Sequence, residues 1–205
     1  MHPLVNSALR AGRDAAGVLA QQSARLDRIR VVETGAGQKV TSVEADADKS
    51  LLYHIRGAYP NHNVNSRISG EHPGKPGEPT WHLDPTIGLE NLLYGFPAFG
   101  VAVAVELNNK VNHAAVIFPI LQEEFTASRG SGAQLNAIRL RVRTEDDIKN
   151  ALIGVNAADL DAAVLTGLIR ELINKEGQFR ALGDTTLDIL QVAAGRFSGG
   201  WGRAS

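Results

Sequence analysis

The residues Trp81–Asn91, WHLDPTIGLEN, place one acid, Asp84, behind a short apolar run and follow it at once with Pro85. Proline fixes φ and lacks an N–H, so the spacing predicts a strand over Trp81–Leu83 that stops there and turns. Gly88 supplies backbone freedom close behind. A carboxylate held at the carboxyl end of a strand stands where α/β folds place ligands, and its chemistry would be cation binding or proton transfer. Its neighbours at Ile87 and Leu89, however, offer no oxygen-bearing side chain to a hard cation. One carboxylate stands where a site would need several. His82, two residues before Asp84 on the same strand face, and His72 nearby allow a histidine–carboxylate metal site. The favoured reading is a strand-end histidine hydrogen-bonded to its neighbours. Arg139, Arg141 and Arg143 alternate and read as the charged guard of a strand edge rather than a phosphate or RNA contact. The turn RGSGAQLN lacks the Lys-Ser/Thr of a phosphate loop and reads as structural.

These groups are carried by a chain of 205 residues, long enough for a sizeable core. With 43% hydrophobic and 21% charged residues and a net charge of −1, no basic field points to nucleic acid or anionic membrane. The absence of cysteine excludes disulfides and thiolate sites. Arg10, Arg13 and Asp14 interrupt the apolar pattern of the first segment, so no signal peptide is expected. No apolar run reaches membrane-spanning length, and the expected location is cytoplasmic.

Leu4, Ala8, Ala11, Ala15 and Val18 fall at helical spacing, and Val43, Ala47, Leu51 and Ile55 mark a second helix over Val43–Arg56 with Gly57 as its stop. A loop is expected over Glu33–Lys39, and one short strand, Val64–Ile68, within the proline-rich stretch Tyr59–Thr80. Val101, Val103 and Val105 alternate before Asn108-Asn109, which predicts a hairpin into Val111–Phe118. Strands are expected at Glu124–Ala127 and Ile138–Val142, then a capped helical turn at Thr144–Asn150. A strand at Leu152–Val155 and a core helix over Leu160–Ile173, closing at Gly177, come next. A strand at Phe179–Leu182 precedes a helix over Thr185–Ala194 capped by Asp184. RFSGGWGRAS shows no periodicity. The expected division is residues 1–143, an α+β part with two helices and an antiparallel sheet, and residues 144–205, an incomplete β/α part.

The stretches WHLDPTIGLEN…GFPAFGVAVAV, EEFTASRGSGAQLN and FRALGDTTLDILQVAAGR together resemble the inositol monophosphatase family, most closely its bacterial SuhB-type members. The similarity runs from MHPLVNSALRAGRDAAG to QVAAGR. It implies a mixed α/β, layered αβαβα sandwich, and hydrolysis of a phosphate monoester by water activated between magnesium ions. Within the family pattern W-x-x-D-P-[LI]-D-G-T-x-N, the residues Trp81, Asp84, Pro85, Gly88 and Asn91 match. Asp84 would bridge metals and the carbonyl of Thr86 would be a backbone ligand. The family's second metal-binding acid falls on Ile87, and its water-orienting threonine on Leu89. Its adjacent glutamates fall on Arg67 and Ile68, and sliding the match to Gly70-Glu71 recovers only the second. The acids of D-x-V-T-x-x-D fall on Gln38 and Glu44, flanking Val40 and Thr41, and the lysine ahead of them on Thr34. The last metal-binding acid, in a carboxyl-terminal W-D element, has no counterpart before Ser205, so that part of the fold is expected to be missing. Gly88 and Arg180 would approach substrate.

With these replacements no catalytic residue is assigned. Magnesium is expected only if the family activity survives, and Arg67 is expected to serve in its place as the counter-charge to Asp84. The function expected is that of a catalytically inactive member with a binding or regulatory role. By resemblance it would be a homodimer that joins RNA polymerase and Nus factors in an antitermination assembly. The alternatives are a magnesium-dependent phosphatase of inositol 1-phosphate or related sugar phosphates, and a decayed, shortened gene product.

Overall fold

The computed structural model describes residues 2–33, 39–144, 147–156 and 161–202. Thr34, Gln38, Leu160, Ser205 and most of the expected loop at 33–39 lie outside that set. The described residues form two compact units, 1–138 and 139–205.

In the first unit, α1 (Pro3–Ser23) has proline at its first position, where the missing N–H costs nothing, and buries Val5, Ala8, Ala15 and Leu19. Gly12 lets the helix approach the sheet closely, since a Cβ there would come within 2.4 Å of Ile117 Cδ1. A ribbon of β1 (Val31–Glu33) and β2 (Lys39–Thr41) leads into α2 (Ser42–Ala58). Thr41 and Glu44 form a reciprocal capping box that fixes where α2 starts. Gly57 does not stop the helix: it is carried inside it, and Tyr59 caps it by donating its N–H to the Ile55 carbonyl.

Both helices pack on one face of an eight-stranded mixed sheet. Its strands are β3 (Asn63–Ser66), β4 (Gly70–His72), β5 (Thr80–Ile87), β6 (Gly100–Leu107), β7 (Lys110–Phe118), β8 (Glu123–Ser128), β9 (Gly132–Leu135) and β10 (Ile138–Arg139), in the order β10-β9-β8-β7-β6-β5-β3-β4. The Tyr59–Thr80 stretch therefore holds two short strands rather than one. The expected hairpin forms between β6 and β7, with Asn108 and Asn109 at φ 53° and 58°, the left-handed pair that a two-residue turn requires. RGSGAQLN is more than a turn, because its last four described positions up to Leu135 pair with β8 as β9. That pairing leaves Ile138–Arg139 as a two-residue edge. Arg141 and Arg143 lie beyond it in irregular backbone, so the three arginines share no strand face.

Most important for the site, β5 does not end at Leu83. It continues to Ile87 across a bulge, with Asp84 opposite Ala102 and Ile87 opposite Gly100. A bulge leaves one residue without a ladder bond, which is where a strand tolerates a proline lacking its N–H.

In the second unit β11 (Leu152–Val155) lies between β12 (Gln178–Arg180) and β13 (Gly199–Trp201), parallel to both. The aperiodic tail thus contributes a strand: backbone pairing needs no side-chain alternation, and Gly199-Gly200 carries none. Of the expected capped turn at 144–150, residues 145 and 146 lie outside the described set; the described remainder closes a turn, with the Lys149 N–H donating to Asp147 Oδ1 at 3.0 Å and the Ala151 N–H to the Ile148 carbonyl at 3.0 Å. Helix α4 (Ala162–Asn174) starts from an Asp161 cap and buries Leu172, but Val164 and Ile173 are exposed, so it is not a core helix along its length. Helix α5 (Thr185–Ala193) starts where expected, with Asp184 Oδ1 accepting the N–H groups of Thr186 and Leu187. Among the described residues no helix is long and apolar enough to cross a membrane.

Asp188, on α5, is 2% exposed, and neither carboxyl oxygen has a hydrogen-bond partner. Gly154 on β11 leaves room for it, since a Cβ there would come within 2.7 Å of Asp188 Oδ1. Burial, and secondarily the charge of Asp184, push the Asp188 pKa up to about 6. A carboxyl pKa raised by folding favours the native state fully at acid pH, and that advantage is lost as pH rises through about 6. Thermal melts between pH 4 and 7 should show stability falling across this window by on the order of 2–3 kcal/mol from this group. Asp188→Asn should flatten the fall and melt higher than the native chain at pH 8.

Candidate functional site

Strands β3 and β5 run parallel with Ser66 opposite Leu83, and the Arg67 N–H donates to the Leu83 carbonyl at 2.9 Å. The residue that follows β3 is thereby delivered beside Asp84. Arg67 Nε donates to Asp84 Oδ1 at 2.7 Å, while Nη2 donates to Glu44 Oε1 at 3.1 Å and to the Thr86 carbonyl at 3.2 Å. Three oxygens from α2, β5 and the β5 bulge thus converge on one guanidinium. Arg67 and Asp84 are partly open to solvent, with side chains 43% and 36% exposed, whereas Glu44 is 5% exposed.

Each acid has a second anchor. Asp84 Oδ1 also accepts the Thr86 N–H at 3.2 Å, the local bond an aspartate makes two residues on. Glu44 Oε2 accepts both the backbone N–H and the hydroxyl of Thr41, at 2.9 Å each. One carboxylate therefore caps α2 with one oxygen and holds Arg67 with the other. Burial works against the Arg67 charge, but attraction and hydrogen bonds from Asp84 and Glu44 outweigh it and raise the pKa. The guanidinium stays charged.

Ile87 is 1% exposed in the core, and Leu89 packs against the apolar cluster under α1 and α2. Gly88 sits at φ 66° between them, where a Cβ would come within 2.6 Å of the Ala98 carbonyl. Arg180 lies in the second unit, exposed, donating to the carbonyl of its neighbour Phe179 at 2.8 Å. His82 turns to Glu106, with Nε2 2.9 Å from Oε2, and His72 pairs with the Ser69 hydroxyl; neither joins Asp84. Among the described residues no group of three or more His, Asp or Glu side chains is arranged to hold a metal ion. A shallow cup of about 330 Å³ opens beside the cluster, lined by Asn65, Arg67, His82, Asp84, Ala102 and Ala104.

Two contacts had no local sequence signal, although Glu44 itself falls on an acid position of the family pattern. Glu44 is legible as the third position of a capping box, but nothing local says that its free oxygen reaches Arg67. Asp48, one turn further along α2 and 3% exposed, accepts the Ser66 hydroxyl at 2.5 Å and so ties the helix to the end of β3.

A model of the inositol monophosphatase family matches residues 1–204. The Nus factor SuhB of Pseudomonas aeruginosa is 36% identical over 208 residues, covering 98% of this chain and 77% of that protein. The Nus factor SuhB of Escherichia coli K12 is 34% identical over 202 residues, covering 97% and 76%. Among solved structures, the extragenic suppressor protein SuhB of Bartonella henselae superposes with a TM-score of 0.86 at 26% identity, over 96% of this chain and 76% of that one.

Replacing Arg67 with Met should leave the buried Glu44 carboxylate without its cation, a loss of roughly 3 kcal/mol in chemical denaturation. Glu44→Gln in that background should recover part of the loss. Asp84→Asn alone should cost less than about 1 kcal/mol, since that pair is solvent-screened.

Proposed function

The chain belongs to the inositol monophosphatase family, and we propose that within it the chain acts by binding rather than by hydrolysis. The observation that carries this reading is the convergence of Asp84, Glu44 and the Thr86 carbonyl on Arg67. Magnesium demands near-octahedral oxygen ligands at about 2.0–2.1 Å and relies on carboxylates to offset its charge. Here the oxygens that would serve it already surround a cation that is part of the chain. The adjoining positions, Ile87 and Leu89, add only apolar surface. This donor set does not fit the family's metal, and two-metal hydrolysis needs ions that clamp both the attacking and the leaving oxygen. In this reading Asp84 and Thr86 are parts of an ion-pair cluster, and Gly88 keeps the turn without a substrate to serve.

The likeness to two proteins named Nus factors supports a partner in the transcription machinery, RNA polymerase with its Nus factors, and hence a cytoplasmic place of work. A homodimer is the assembly we propose for that role. It rests on kinship rather than on a contact of this chain.

Three measurements decide. Melting in millimolar magnesium should give the same midpoint as in chelator, because a ligand raises stability only where it binds the native state. No phosphate should be released from inositol 1-phosphate above the blank. A magnesium-dependent rise of several degrees, with turnover lost in Asp84→Asn, would instead establish the phosphatase. Retention of core RNA polymerase or purified Nus factors at near-stoichiometric levels is the outcome expected for the binding role, and none retained would remove it.

A further inference from the structure

We infer that the stacked His2–His113 pair is a proton-operated latch that holds the first turn of α1 on the sheet and releases it when the imidazoles are charged. His2 is the N-cap of α1. Its Nδ1 accepts the Leu4 N–H at 3.2 Å, and its carbonyl accepts the N–H groups of Val5 and Asn6 at 3.0 and 3.2 Å. The side-chain half of this cap exists only while Nδ1 carries no proton. The His2 ring lies on that of His113, with centroids 4.1 Å apart and planes inclined by 19°. His113 is 9% exposed in the middle of β7, between Val105 of β6 and Ser128 of β8, with Nδ1 3.0 Å from the Ser128 hydroxyl.

Two neutral imidazoles stack favourably, and two imidazolium ions at this spacing repel. A proton on His2 Nδ1 also deletes the cap and adds positive charge to the helix end whose dipole is already positive. Among the described residues lining the basin, none is an acid that could take up that charge. The helix presents Val5, β6 presents Val105, and β8 presents Thr126 and Ser128; the loop after β8 presents Arg129, itself cationic. No acid lines the basin of about 530 Å³ beside the rings, and the nearest charged residues along α1 and β7 are Arg10 and Lys110. Burial first, and the neighbouring His2 second, hold the His113 pKa below the usual histidine range. The native state thus favours neutral His113. That contribution is complete above the ordinary histidine pKa of about 6.5 and is lost as pH falls below it. The basin gives water a way in as the turn lifts.

Hydrogen exchange of the full chain tests this, comparing pH 7.5 with pH 5.5 after correction for intrinsic rates. Protection of the first-turn amides Leu4–Ala8 should fall roughly fivefold, the loss expected when a side-chain N-cap is deleted, while amides of α2 keep theirs. His2→Asn keeps a capping side chain that does not titrate, so its first turn should stay protected at both pH values. His113→Phe keeps a ring face without the charge and should show a reduced fall; if it does not fold, His2→Asn decides alone. Equal protection at the two pH values in the native chain, or the same fall in His2→Asn, would overturn the latch.

Discussion

The grip of three oxygens on the Arg67 guanidinium organises the region around it. A carboxylate as enclosed as Glu44 is costly unless a cation or several donors meet it. Here Thr41 meets one oxygen and Arg67 the other. The same guanidinium then fixes Asp84 and the bulge carbonyl of Thr86, so the start of α2, the end of β3 and the irregular part of β5 are held by one charge. A metal ion would bind the same three elements by the same electrostatics. The difference is that an arginine is covalently present and always charged, whereas an ion is exchangeable.

That difference separates architecture from chemistry. Trp81 buried in the core, Pro85 at the bulge and Gly88 at positive φ are demanded by the backbone path, and they are satisfied whether or not a reaction follows. On the proposed reading, the positions where a reaction would need further oxygens are Ile87 and Leu89, whose side chains join the apolar packing. The frame of the family persists because packing and backbone geometry keep it, independently of catalysis.

Much of this was readable from residue types and spacing, and the exceptions have physical causes. Helices α1, α2 and α5 were legible from apolar periodicity and caps, and the β6–β7 hairpin from alternating valines around Asn108-Asn109. The strand after Leu83 was hidden because a proline normally ends one, and only the pairing partner reveals that a bulge absorbs it. Strand β13 was hidden because Gly199-Gly200 has no pattern to read, and β9 because its glycine-flanked sequence looks like a turn. The proximity of Arg67 to Asp84 could be anticipated from the family register. The third partner, Glu44, falls on an acid position of the same register, but its contact with Arg67 was hidden, since its reach depends on where α2 docks on the sheet.

The most direct test is anomalous diffraction from crystals soaked in manganese, a hard divalent ion with the ligand preferences of magnesium. The account predicts no anomalous peak within bonding distance of Asp84 and the Thr86 carbonyl, with the Arg67 guanidinium still held by Asp84 and Glu44. A peak at that position, with Arg67 swung away from both acids, would contradict it.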